Sequence, residues 1–119
     1  MILSQGDNVM VVHRRLFEND QSRIFIGEVD GHHNTLAKVT GRSWLKDKFH
    51  GDFVEKQEVR TKIISLDSSG LIIYQLPTDL DLNKIKIHHE GHGRNIIRDD
   101  NGFKLDLSDS ADQLKEKSN

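Results

Sequence analysis

Three histidines and a glutamate lie within residues 88–93, which read HHEGHG and form the densest group of possible metal ligands in the chain. Imidazole nitrogens and carboxylate oxygens are ligands that zinc and similar divalent ions accept. The candidates for a metal site are therefore His88, His89, Glu90 and His92.

The spacing of these residues weighs against such a site. On a strand His88 and His89 point to opposite faces, and His88 and His92 converge only on a helix, which the glycines at 91 and 93 disfavour. We therefore predict that residues 88–93 are the solvated tip of a hairpin. A His-dependent divalent-metal site stays open as an alternative, because His32 and His33 lie in a second predicted tip that could meet the first.

Basic side chains occur in two places that could hold phosphate or an acidic partner. Arg14 and Arg15 follow the first apolar stretch, and Lys84, Lys86 and Arg94 lie around the HHEGHG segment. Alternating lysines are also what an edge strand uses to resist aggregation. These five residues define an alternative function in nucleic-acid or anion binding. The chain has only seven aromatic residues and a near-neutral net charge, which is thin support for nucleic-acid binding.

Patterns of known catalytic centres do not occur in the sequence. There are no cysteines, so thiol nucleophiles, thiolate zinc sites and disulfides are excluded. Residues 40–44, TGRSW, lack the second glycine of a nucleophile elbow, and no phosphate loop is present. We predict a protein that is not an enzyme and that has no cofactor.

Length and composition indicate one globular domain. A chain of 119 residues with a formal net charge of −2 can enclose a single core. The longest purely apolar runs are about four residues, far short of the roughly 20 that span a bilayer, and the first residues do not form a signal peptide. We expect a cytoplasmic protein without membrane association.

Short apolar, β-branched stretches separated by glycine-containing turns predict an all-β fold of about seven strands. Two hairpins are indicated, one turning at residues 30–34 and a clearer one at residues 67–70. Gly27 and Gly41 interrupt strands where a sheet could curl. Residues 45–58 are interpreted as a loop with one helical turn, residues 78–84 as a short helical turn, and Ile85 and Ile87 as the inward face of a strand.

These elements predict a small antiparallel β-barrel or roll built from hairpins, with at most one or two short helical turns. Residues 1–107 form the predicted domain. Residues 108–119, which contain few apolar side chains, are predicted to be a flexible polar tail.

Residues 23–39, RIFIGEVDGHHNTLAKV, resemble the first motif of the Sm-like RNA-binding barrels, in which a strand with a glycine precedes an asparagine and a further apolar strand. The resemblance implies a small barrel, and a base-contacting role for Asn34 would follow only from a full match. Seven residues separate Gly27 from Asn34, and no Arg-Gly second motif follows. We assign no family on this basis.

Taken together, the sequence predicts a non-catalytic binding or interaction module of small β-barrel type. A protein partner or self-association is the expected mode of action, through an open strand edge or an exposed apolar patch. Nucleic-acid binding and divalent-metal binding remain the two alternatives.

Overall fold

The computed structural model describes residues 2–14, 22–47, 51–90 and 94–107, with Glu90 described by its backbone alone. This part of the chain contains one 3₁₀ turn, Leu82–Lys84, and nine strands: β1 (Asn8–His13), β2 (Arg23–His33), β3 (Leu36–Lys46), β4 (Phe53–Glu55), β5 (Arg60–Ser65), β6 (Leu71–Leu76), β7 (Lys86–Glu90), β8 (Arg94–Arg98) and β9 (Lys104–Asp106). All strand pairs are antiparallel. The prediction of an all-β fold with very little helix is confirmed.

The larger sheet has six strands in the order β4-β3-β2-β1-β6, with β5 also paired to β3. Strand β1 lies inside this sheet, between β2 and β6. Its side chains are buried on both faces, Val9 and Val11 on one and Met10 on the other. This explains why its sequence is a continuous apolar run rather than an alternating one.

The larger sheet curls toward the face that carries Val11 and Phe25. Buried side chains from β1, β2, β3 and β5 form one apolar cluster on this face, although the smaller sheet packs against the other face, so the larger sheet must bend to cover its own side chains. Gly27 and Gly41 are paired at the middle of the long β2–β3 hairpin, where a Cβ on Gly41 would lie 2.5 Å from the Cα of Gly27. A further change of register follows at Asp30, between Val29 and Gly31. A close glycine pair and a bulge are devices that bend strands.

The smaller sheet, in the order β7-β8-β9, covers the opposite face of the larger one. Ile85, Ile87 and Ile97 from this region pack with Met10 and Trp44 of the larger sheet in a second buried cluster. The predicted inward direction of Ile85 and Ile87 is confirmed, since both are buried. The short helical turn is also found, with the Asp81 side chain accepting a hydrogen bond from the Asn83 amide at 3.0 Å.

Several local predictions need correction. The larger sheet is not closed within the described residues, so a barrel is not shown. The segments on either side of residues 67–70 form β5 and β6, but β5 pairs with β3 and β6 with β1, so they are not a hairpin. The curl of the larger sheet brings its two edge strands β5 and β6 close enough for residues 66–70 to connect them without a hairpin. In this connection the Leu66 amide donates to Thr35 O, and the Gly70 carbonyl accepts from the Arg14 amide.

Two further predictions about loops were wrong. The first hairpin exists, but its turn is Asn34-Thr35, with Asn34 at a φ of 54°, and strand β2 continues through His32 and His33. An asparagine tolerates this left-handed conformation, so the turn forms there rather than at Asp30-Gly31. Part of residues 45–58 is strand β4, paired to the end of β3.

Among the described residues no helix is long and apolar enough to span a membrane. The predicted tail, residues 108–119, lies outside them.

Candidate anion-binding site

The inner face of the curled sheet is apolar along most of its length and becomes polar and basic at one end. Along β1, β2 and β5, side chains two residues apart point to the same face. At this end of the sheet, each buried apolar residue has a polar residue two positions away on the same face. The pairs are Val11 with His13 in β1, Phe25 with Arg23 in β2, and Ile64 with Lys62 in β5. The apolar interior of the curl therefore ends in a set of basic groups.

Two of these basic groups, Arg23 and Lys62, line a cleft of about 400 Å³. We name it the basic cleft and define it by its lining residues: Arg23, Ser43, Leu45, Lys56, Gln57, Glu58, Arg60 and Lys62. Four of these side chains are cationic and one is a carboxylate. The carboxylate of Glu58 is already paired with Arg60 at 2.8 Å, with both side chains largely exposed. The basic cleft thus carries more positive charge than its own acid can balance.

Lys62 is the innermost cation of the basic cleft. Its ammonium lies 4.6 Å from the centroid of the Phe25 ring and donates to Ser43 Oγ at 3.4 Å. A cation over an aromatic face is attracted by the ring quadrupole. No carboxylate among the described residues forms an ion pair with Lys62. The groups seen to hold its ammonium, Phe25 and Ser43, are neutral.

The electrostatic effect of this crowding is visible in two pKa values. Burial lowers the pKa of Lys62 below 10.5, and the charges of Arg23 and Arg60 lower it further. Burial likewise lowers the pKa of His13 below 6.5, helped by the charges of Lys62 and Arg23. Both shifts mean that the protonated, positively charged forms of His13 and Lys62 are disfavoured in the free protein, and a bound anion would favour them.

The five anion-binding candidates from the sequence are not gathered into one cavity. Arg14 is exposed after β1 and its guanidinium reaches Ser69 O at 3.4 Å, while Arg15 lies outside the described residues. Lys84 is exposed at the 3₁₀ turn. Lys86 is 3.9 Å from the Glu55 carboxylate, and Arg94 is 3.3 Å from that of Asp106. The two candidates on the smaller sheet thus already have acidic partners.

The metal candidates are placed as follows. His88 and His89 lie within strand β7, opposite Ile96 and Asn95 of β8, and His89 Nδ1 is 3.3 Å from Asn95 Oδ1. The Glu90 side chain and His92 lie outside the described part. Among the residues that are described, no three His, Cys, Asp or Glu side chains come together as a metal site. Within the described residues, His32 and His33 do not gather with His88 and His89 as a group of metal ligands, and the prediction for Glu90 and His92 lies outside them.

Sequence reasoning missed the basic cleft because its cations come from separate segments. Arg23 and Lys62 are 39 positions apart and come together through β3. A signal does exist in the sequence. Each occupies a position in phase with buried apolar residues of its own strand, and for the partly buried Lys62 an unpaired charge there is costly.

No protein-family model, curated protein or solved structure matches this chain.

Proposed function

We propose that this protein is a non-catalytic binding module whose ligand is anionic and occupies the basic cleft. The observation that carries the proposal is Lys62, a half-buried ammonium at the end of an apolar interior with two further cations nearby. Keeping like charges together in this way is costly in the free protein. An anion offsets that cost, so binding is the role that accounts for the arrangement.

A catalytic role for the same groups has weaker support. Ser43 and Lys62 are close enough for a hydrogen bond, and a lysine with a lowered pKa can act as a base. However, Ser43 lies inside strand β3, which continues to Lys46 instead of turning into a helix as a nucleophile elbow does. In our proposal Ser43 orients the Lys62 ammonium and is not a nucleophile.

The proposal is tested by titrating the full chain with sodium sulfate and following backbone amide NMR shifts. Sulfate has a constant charge near neutral pH, so its binding reports on the protein alone. We expect saturable shifts around Arg23, Lys56 and Lys62, weakening as sodium chloride is added because the contacts are ionic. Saturable shifts only elsewhere, or none at all, would remove the basic cleft as the binding surface.

Self-association is a second candidate function, supported by the edge of β5. The side chain of Ile63 on this strand is 71% exposed, and beyond its pairing with β3 the strand has no further strand partner in the described residues. An open edge with an exposed β-branched residue can pair with another chain. Sedimentation of the wild type and of Ile63→Lys decides the matter. A concentration-dependent oligomer lost in the variant supports this candidate, and a monomer at all concentrations excludes it.

A further inference from the structure

We infer that the basic cleft binds a compact phosphomonoester group, either free or at the end of a larger molecule, rather than the backbone of a nucleic-acid strand. This inference rests on the proposed function and names its ligand class. It depends on the shape of the basic cleft, its charges and the groups that it lacks.

The shape of the basic cleft favours a compact ligand. Its cations lie around a single concavity of about 400 Å³, whereas a strand of nucleic acid is followed by a groove with charges spaced along it. The cations come from three separate segments of the chain: Arg23 from β2, Lys56 from the segment after β4, and Arg60 and Lys62 from β5. Cations from several segments around one concavity suit a single tetrahedral group with several oxygens.

The charges of the basic cleft fit a doubly charged group. A phosphomonoester carries about −1.5 to −2 charges at pH 7 and offers three acceptor oxygens. Arginine guanidinium groups can bind two such oxygens at once, and lysine supplies a point charge. Arg23 and Lys56 form no ion pair with any described carboxylate, so none of those acids competes with a ligand for them.

Aromatic stacking, the usual source of affinity for single strands, is not provided by the described residues of this surface. None of the lining residues is aromatic. Phe25, beneath Lys62, is only 1% exposed, and Trp44 packs on the other face of the sheet. A base that reached the basic cleft would meet charged groups, Ser43, Gln57 and Leu45, and no ring from the described lining residues.

The inference is tested by measuring the affinity of the full chain for three probes: inorganic phosphate, a short oligothymidylate with a 5′-phosphate, and the same oligomer with a 5′-hydroxyl. We expect phosphate to bind and the 5′-phosphorylated oligomer to bind at least about tenfold more tightly than its 5′-hydroxyl form, a difference of about 1.4 kcal/mol. Equal binding of the two oligomers would mean that the backbone is recognised and would overturn the inference.

Two variants locate the site. Lys62→Met keeps an unbranched side chain over Phe25 but removes the charge, and we expect it to weaken phosphate binding about tenfold. The matched control is Lys38→Met, which removes an exposed lysine from the outer face of β3, and it should bind as the wild type does. A similar loss in both variants would place the site elsewhere.

The experiment also separates the two proposals. If the oligomers bind equally while inorganic phosphate does not, the compact-ligand inference fails but an anion-binding function stands. If none of the probes and no sulfate binds, both fail.

Discussion

Gly27 of β2 and Gly41 of β3 face each other in register at the middle of the longest hairpin of the fold. A Cβ on Gly41 would lie 2.5 Å from the Cα of Gly27 and 2.7 Å from the carbonyl carbon of Ile26. Because the atoms in the way are backbone, no side-chain rotation can relieve the clash. The two strands must separate if either glycine gains a side chain.

Gly41→Ala should therefore destabilise the protein by about 3 kcal/mol, at the upper end of what overpacking costs. Gly31→Ala is the matched control. It makes the same change on β2, where an added Cβ meets nothing within 4 Å. Urea denaturation of the two variants provides the comparison, and a Gly41→Ala variant as stable as Gly31→Ala would show that the close approach is not required.

Lys62→Met should raise the thermal midpoint of the ligand-free protein while it lowers anion affinity. The substitution removes a charge that burial and two arginines disfavour. Because Lys62 is still partly exposed, the gain is small, below about 1 kcal/mol. Scanning calorimetry with and without sodium sulfate measures both effects. A lower midpoint in the variant would mean that the ammonium stabilises the fold and is not held there for a ligand.

The pH dependence of stability should contain a contribution from His13. The pKa of His13 is lowered by burial and by Lys62 and Arg23. In the window from pH 6.5 down to the folded pKa, the unfolded chain binds more protons, so stability falls as the pH falls. Above pH 6.5 this contribution disappears.

His13→Gln should remove that loss, which urea titrations above and below pH 6.5 can measure. His33→Gln, which replaces an exposed imidazole on β2, is the control and should keep the wild-type dependence. If both variants follow the wild type, His13 does not carry the effect.

Asn8 ties strand β1 to the connection after β6. Its Nδ2 donates to Pro77 O at 3.0 Å and to Leu80 O at 3.2 Å, and the residue is buried. Asn8→Asp keeps the shape but places a carboxylate oxygen against two carbonyl oxygens, which should cost about 2 kcal/mol or more at neutral pH.

The penalty of Asn8→Asp should shrink in acid, because a protonated carboxyl can donate again. Asn83→Asp makes the same substitution at an exposed position that accepts from Arg42, and it should be close to neutral. Thermal melting at two pH values tests both variants. A penalty independent of pH would contradict the assigned donor role.

Zinc provides a separate test of the histidine-rich segment. Since the described residues hold no three-ligand cluster, we predict no saturable amide shifts at His88 or His89 with micromolar zinc after treatment with a chelator. Saturable shifts that disappear in His89→Ala would instead establish a metal site there.

The sequence predicts the strands of this fold better than their partners. Alternation identified Ile85 and Ile87 as inward-facing, and the continuous apolar run of β1 marked a strand. The pairing of β5 with β3 could not be read from local pattern, because a polar four-residue turn between two apolar stretches normally indicates a hairpin. What decides the pairing is the curl of the sheet, which depends on contacts across the whole fold.

The candidate site was hidden for a related reason. Basic residues that are close in sequence, such as Arg14 with Arg15 and Lys84 with Lys86, are the visible candidates in the sequence. The basic cleft instead joins Arg23 to Lys62 through the register of β2, β3 and β5. Arg23, Arg60 and Lys62 each stand among ordinary strand residues, so only the assembled sheet shows that they line one cleft.

The position of β1 between β2 and β6 also has a consequence for biosynthesis. Asn8 is paired with Glu28 on one side and with Leu76 on the other. As the chain leaves the ribosome, β2 and β3 become available to pair early, but β1 keeps one bare edge until residues 71–76 have been made. Closing such a distant pair is slow, and unpaired strand edges are prone to aggregate. A truncated chain that ends before β6 would therefore leave this edge of β1 unpaired, and we expect such a fragment to aggregate instead of folding into a smaller functional domain.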